Sequence, residues 1–193
     1  MAHYSKRDLR ILASAVEARN KDASRHKCFI SFHAADIDEV AAFIDAFGDV
    51  FIPKNLGISE DDPWINSDDD DYIKQQISGK YMSDSTVTIL LVGKCTWARQ
   101  FVDWEIAATL RNSKVNKRSG LLAYRLPSAG SASAPPRLLD NYIKDGDSYA
   151  RYYELPSAQS DVRRHIQAAF DARETKDHLI AKSRDLQKGD FLC

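Results

Sequence analysis

The stretch TVTILLVGKCTWARQFVDWEIAATLRN, beginning at Thr86, limits the fold more than any other part of the chain. Its opening run of β-formers is too short for a helix and reads as a buried strand, Thr86 to Val92. A polar turn follows, and a helix is predicted from Trp97 to Arg111. That helix carries Glu105 in apolar company. Phe101 and Val102 lie one turn before it, and Ala108 and Thr109 one turn after. No Lys or Arg stands three or four residues away, where helical neighbours touch. The region just past the carboxyl end of a strand is where open α/β sheets place ligand-facing residues.

The rest of the chain repeats this alternation. Residues 5–19 have Leu9, Leu12, Ala13 and Val16 at helical spacing, and Ser5 with Asp8 resembles a capping box. KCFISFH, Lys27 to His33, reads as the first core strand. A helix over Ile37 to Phe47 follows, then a second short strand, DVFIP, from Asp49 to Pro53. The polar segment KNLGISEDDPWINSDDDD is a long loop of the kind that is often functional. Asp68 to Lys80 reads as a helix and Asn112 to Arg118 as a basic loop. Gly120 to Leu126 is the fourth strand and Pro127 to Pro136 a mobile surface loop. Tyr149 to Leu155 is the fifth strand and Asp161 to Arg173 the last helix.

This order predicts an α/β fold, a flavodoxin-like three-layer sandwich with a five-stranded, mainly parallel sheet. Residues 1–26 form a helical extension, 27–175 the domain, and 176–193 a helix extension or arm. At 193 residues the chain suits one domain. A net charge of -1 speaks against nucleic acid as a partner. No apolar run approaches the roughly 20 residues of a membrane helix. Cys28, Cys95 and Cys193 show no zinc-ligand spacing. Cys28 and Cys95 are expected to be reduced, packed thiols, which points to the cytoplasm. The Asp68–Asp71 cluster lacks the spacing of a calcium loop and suits a helix N-terminus, so no metal site is expected. The Lys114–Arg118 run reads as a solvated loop.

Two segments resemble the TIR-like family, in particular the bacterial branch found in Thoeris anti-phage systems. The first is Phe29-Ile30-Ser31-Phe32-His33 with Asp36. The second is Val92-Gly93 and Thr96, with Phe101-Val102-Asp103-Trp104-Glu105-Ile106. The resemblance covers roughly residues 27–155. One departure is Phe101, which stands where the family often has Trp, while Trp104 stands next to the acid. The resemblance implies an enzyme that cleaves the nicotinamide–ribose bond of NAD and makes an ADP-ribose-derived signal, often cyclic, that reaches a separate effector. It also implies self-association and a phage-derived trigger. NAD is the substrate, and no cofactor is implied.

On this reading Glu105 is the catalytic residue. Phe32, His33, Asp36, Phe101 and Trp104 are the candidate substrate-binding residues. Each has a blander reading. Glu105 could be a solvated helix glutamate and His33 a loop residue. Asp36 could cap the helix that starts near Ile37. Phe101 and Trp104 could be core. Two other functions compete with NAD cleavage. One is a non-catalytic TIR-like scaffold that recruits partners through the loop at Lys54 to Ser67. The other is an enzyme like the nucleoside deoxyribosyltransferases, which also use one carboxylate.

Overall fold

Five parallel strands form one sheet in the order β2-β1-β3-β4-β5. The structure is a computed structural model, and it describes residues 4–19, 22, 24–57, 66–112 and 117–193. The strands are β1 Lys27–Phe32, β2 Ile52–Leu56, β3 Val87–Val92, β4 Gly120–Arg125 and β5 Arg151–Glu154. The helices are α1 Lys6–Arg19, α2 Ile37–Phe47, α3 Asp70–Lys80, α4 Gln100–Thr109, α5 Pro136–Asp140 and α6 Gln159–Thr175. This is the doubly wound, flavodoxin-like arrangement.

Strand alternation sorts the core into two layers. Cys28, Ile30, Ile89, Leu91, Leu122 and Tyr124 face α1, α2 and α6. Phe29 packs with α3 and α4, while Leu90, Val92, Leu121 and Ala123 face α4 and α5. Every residue of β3 is buried, as its uninterrupted apolar run requires. Helix α1 packs on its own domain through Leu9, Ala13 and Val16. Its start is capped reciprocally: Ser5 N donates to Asp8 Oδ2 at 2.8 Å and Asp8 N to Ser5 Oγ at 3.2 Å.

Several boundaries differ from the sequence reading, each for a local reason. The second strand lies at Ile52–Leu56 rather than Asp49 to Pro53, because residues Gly48–Val50 continue α2 as a 3₁₀ turn. Gly48 lies so close to α1 that a Cβ there would sit 2.2 Å from Val16 Cγ1. Pro53 fits because β2 is a sheet edge, where a missing N–H is tolerated. Helix α4 begins at Gln100, since Thr96–Ala98 form a 3₁₀ turn and Arg99 is extended. The segment after β4 is pinned rather than mobile. Its Ser128 Oγ donates to Glu39 Oε2 at 2.6 Å, and Arg125 binds the carbonyls of Gly130 and Ala132. Asp69 caps α3 through Asp71 N and Tyr72 N, which accounts for part of the acidic cluster. Most of the polar loop after β2 and of the basic run, residues 58–65 and 113–116, lies outside the described residues.

The far end of the chain packs back on the domain. Residues 180–193 hold no helix and lie as a strap across α4. Arg137 on α5 grips Asp103 on α4 through two hydrogen bonds of 2.8 and 2.9 Å, with both side chains buried. The same guanidinium donates to the carbonyls of Arg184 and Asp185. Leu186 is buried against α3 and α4. Cys95 is joined to Cys193 by a disulfide, with the Cα atoms 5.6 Å apart, so the expectation of a reduced Cys95 is corrected. A partner 98 residues away leaves no local spacing signal. Cys28 is free and buried, and burial pushes its thiol pKa up. Among the described residues no helix is long and apolar enough to cross a membrane.

Candidate functional site

Strand order reverses between β1 and β3, and the crevice at their carboxyl ends is the expected ligand position of a doubly wound sheet. Both of the sequence segments singled out above converge there. Ser31 points to the α4 side of β1, because it alternates with Ile30 and Phe32, which face the other way. Its hydroxyl donates to Glu105 Oε2 at 2.5 Å. Glu105 is 1% exposed, and Thr109 Oγ1 binds its backbone carbonyl at 2.8 Å. A solvated helix glutamate is therefore not what the fold makes of this residue.

Glu105 forms one wall of a cavity of about 110 Å³. Phe32, His33 and Phe101 line it as well. Phe101 shares the wall because it lies one turn before Glu105 on the same helix face. Gly57, just after β2, passes over the acid with φ +65, and a Cβ there would lie 3.7 Å from Glu105 Oε1. Only glycine takes that conformation routinely. His33 is partly buried, and desolvation, followed by the Arg99 charge, lowers its pKa. Its imidazole is thus kept neutral at pH 7.

Trp104 is not part of this wall. One residue along a helix is a rotation of about 100°, which turns Trp104 toward Phe29, Ile73 and Ile77. Its Nε1 donates to Gln187 O at 2.9 Å, so the ring fastens the strap. It packs in the core beside Phe101, with 5.6 Å between ring centroids, rather than in the lining of this cavity.

Asp36 neither lines the cavity nor caps α2; it makes no side-chain cap hydrogen bond. It is buried, and its carboxylate accepts from Thr96 Oγ1 at 3.3 Å and shares with Glu39 the single hydroxyl hydrogen of Ser128, whose Oγ lies 3.3 Å away. Gly93 N donates to Thr96 Oγ1 at 2.8 Å. A Cβ at Gly93 would sit 2.1 Å from Asp36 Oδ2. Asp36, Gly93 and Thr96, three separate motif positions, thus form one tie between the ends of β1 and β3. Burial raises the Asp36 pKa.

Sequence reasoning passed over three contributors. Ser31 was in the motif without a role, although period-two alternation places it toward α4. Arg99 and Asp190 also line the cavity, and Asp190 comes from the strap, out of reach of any local pattern. A second cavity of about 570 Å³ also touches Gly57 and is lined by Arg10, Glu17, Lys54 and Lys80. It is the larger of the two, but Glu105 is not in its lining, so the chemistry is assigned to the smaller one. Among the described residues no group of His, Cys, Asp and Glu gathers at metal-binding distance.

A five-stranded parallel sheet in this order, with one buried glutamate beside the crevice at the strand switch, defines a TIR-like α/β domain. The family model for the Thoeris protein ThsB, TIR-like domain, matches residues 29–131, more than half of the chain, and the protein belongs to that family. The matched region spans β1 to the turn after β4 and contains Ser31, Asp36 and Glu105. Its role is a TIR-type role in anti-phage defence. No curated protein matches the chain.

Proposed function

We propose that this domain cleaves the nicotinamide–ribose bond of NAD and releases an ADP-ribose-derived, cyclic nucleotide signal that activates a separate effector. The observation that carries the reading is Glu105: a buried carboxylate held by Ser31 at a cavity wall, at the strand switch of a TIR-like domain. In this reaction the bond from ribose C1′ to the pyridinium nitrogen breaks. Its electron pair moves to that nitrogen, so nicotinamide leaves neutral and needs no acid. The ribose left behind is oxocarbenium-like. One fixed carboxylate beside it stabilises the developing positive charge. Phe32 and Phe101 supply flat apolar surface for the departing ring. An acceptor within the nucleotide then captures the ribose C1′ and closes the ring. NAD is the substrate and no cofactor enters.

A cavity of about 110 Å³ is well below the roughly 300–1,000 Å³ of small-molecule sites. The dinucleotide therefore requires the rim to open, and assembly with a second copy on a phage-derived trigger is the event we assign to this step. The test is mass spectrometry of nucleotides from cells expressing wild type or Glu105→Gln, with and without phage challenge. NAD loss or a new ADP-ribose species with wild type alone supports the reading. Identical nucleotide pools from two folded proteins under every challenge would sink it and favour a scaffold. Turnover of nucleosides but not NAD would move the assignment to deoxyribosyl transfer.

A further inference from the structure

We propose that the distal half of the strap, residues 189–193, is redox-latched: the Cys95–Cys193 disulfide holds Asp190 in the mouth of the Glu105 cavity, and its reduction opens that mouth. The strap has two unequal parts. Its upstream half is anchored by buried groups, with Arg137 bound to the Arg184 and Asp185 carbonyls and Leu186 in the core. Gln187 N adds a bond to Asp103 Oδ2 at 3.0 Å. The distal half lies on the surface, with Phe191 53% and Leu192 98% exposed. The chain turns between the two halves at Gly189, φ +103, a conformation that suits a hinge.

The distal half is seated on the rim of the cavity. Asp190 Oδ2 accepts from Arg99 Nη1 at 2.6 Å and Oδ1 from Gln100 N at 2.8 Å. Phe191 N donates to Ala98 O at 2.9 Å, and the Phe191 ring stacks over Trp97 with centroids 6.3 Å apart. Arg99 and Asp190 both line the cavity, so this clasp forms part of its wall. An exposed ion pair and surface hydrogen bonds are weak fasteners in water. The covalent link from Cys193 to the turn before α4 is what makes the closure lasting. The latch joins Cys95, inside the family-matched region, to a strap outside it.

The opening step balances with a low-molecular-weight thiol as reductant. One thiolate attacks the exposed Cys193 sulfur and forms a mixed disulfide, expelling Cys95 as a thiolate. A second thiol displaces Cys193 and leaves as the oxidised disulfide. Two electrons pass from the two reductant thiols to the protein, and both cysteines end as thiols. Asp190 is then held at the rim only by the non-covalent contacts of residues 190 and 191, and its departure leaves Arg99 facing the cavity. In a thiol-rich compartment such a bond is a switch rather than a staple.

The gate itself is independent of the proposed reaction; only its effect on turnover rests on that reading. His33 is a probe that needs no catalysis, because it lines the cavity and its neutral imidazole reacts with diethyl pyrocarbonate. Oxidised wild type would be compared with the double variant Cys95→Ser/Cys193→Ser, and with wild type reduced and alkylated should the variant fail to fold. Peptide mass spectrometry would follow His33, with the exposed His178 as internal control. The expected result is labelling of His33 about tenfold faster once the link is gone, as for a site whose open fraction rises tenfold, with His178 unchanged. Equal His33 rates in linked and unlinked protein overturn the proposal. NAD consumption measured on the same samples separates the two claims. Faster labelling with an unchanged, non-zero rate of NAD loss leaves the opening of the mouth standing and overturns its effect on turnover. Faster labelling with no NAD loss in either state leaves the gate standing and removes the proposed reaction.

Discussion

Asp36 and Glu105 are two carboxylates buried at the same end of the same sheet, and they do different things there. Asp36 is enclosed by Thr96, Ser128 and the bare backbone of Gly93, and it is not in the lining of the Glu105 cavity. Glu105 is the more buried of the two, yet it lines a cavity, and a short hydrogen bond from Ser31 aims it. Burial alone does not distinguish a working acid from a structural one. The difference is the setting: packed protein encloses Asp36, whereas Glu105 stands in the wall of a cavity.

The contrast is sharpest for Glu105→Gln. It should lower NAD consumption by about 10²–10³-fold, the usual cost of removing one electrostatic stabiliser, while the thermal midpoint moves little. A drop in both would make Glu105 a second structural acid. Next comes Ser31→Ala, which removes a charge-assisted hydrogen bond worth about 1.5–3 kcal/mol. Steady-state kinetics should show a fall in kcat with little change in KM, because Ser31 aims the acid rather than gripping substrate. A change confined to KM would contradict that role.

Gly57→Ala should destabilise the fold by about 1–2 kcal/mol, since the positive φ is costly for any residue with a Cβ. Denaturant unfolding would measure it, and an unchanged midpoint would show that the segment over Glu105 is free to reshape. The smallest effect is expected for Asp36→Asn, under about 1 kcal/mol at pH 7 by the same method. Its pH dependence carries the information. The folded pKa of Asp36 is raised by burial, so the ionised acid weakens the fold above that pKa and the penalty disappears as pH falls toward the unfolded value. Wild type should therefore gain stability relative to Asp36→Asn on acidification. The opposite slope would mean that the Thr96 and Ser128 hydrogen bonds outweigh desolvation.

The sheet could be read from the chain because its signals are local. An apolar run such as TVTILLV can only be a covered strand, and the helical spacing of Leu9, Ala13 and Val16 forces a single buried stripe. Glu105 stood out by the same logic, as a charge without local partners. Phe101 and Trp104 show the limit: both are aromatic and both lie near the acid in sequence, but the helical turn sends one to the cavity and the other to the core. Asp36 looked like a cap because of its place before α2, and only the meeting of three strand ends reveals the tie. The strap was not readable at all. Asp190 acts on residues 90 positions earlier, and no periodicity spans that distance.

The Cys95–Cys193 link also makes a ring of the second half of the chain. The sulfurs are 98 residues apart and enclose α4, β4, α5, β5 and α6, leaving β1, β2 and β3 outside the loop. A closure of this size restricts the unfolded ensemble by an amount that the chain-entropy view puts at about 4.7 kcal/mol for a loop near 100 residues. Reduction would therefore act twice, once at the rim of the cavity and once on the whole polymer. The form with the looser strap is also the one whose unfolded chain is free to expand.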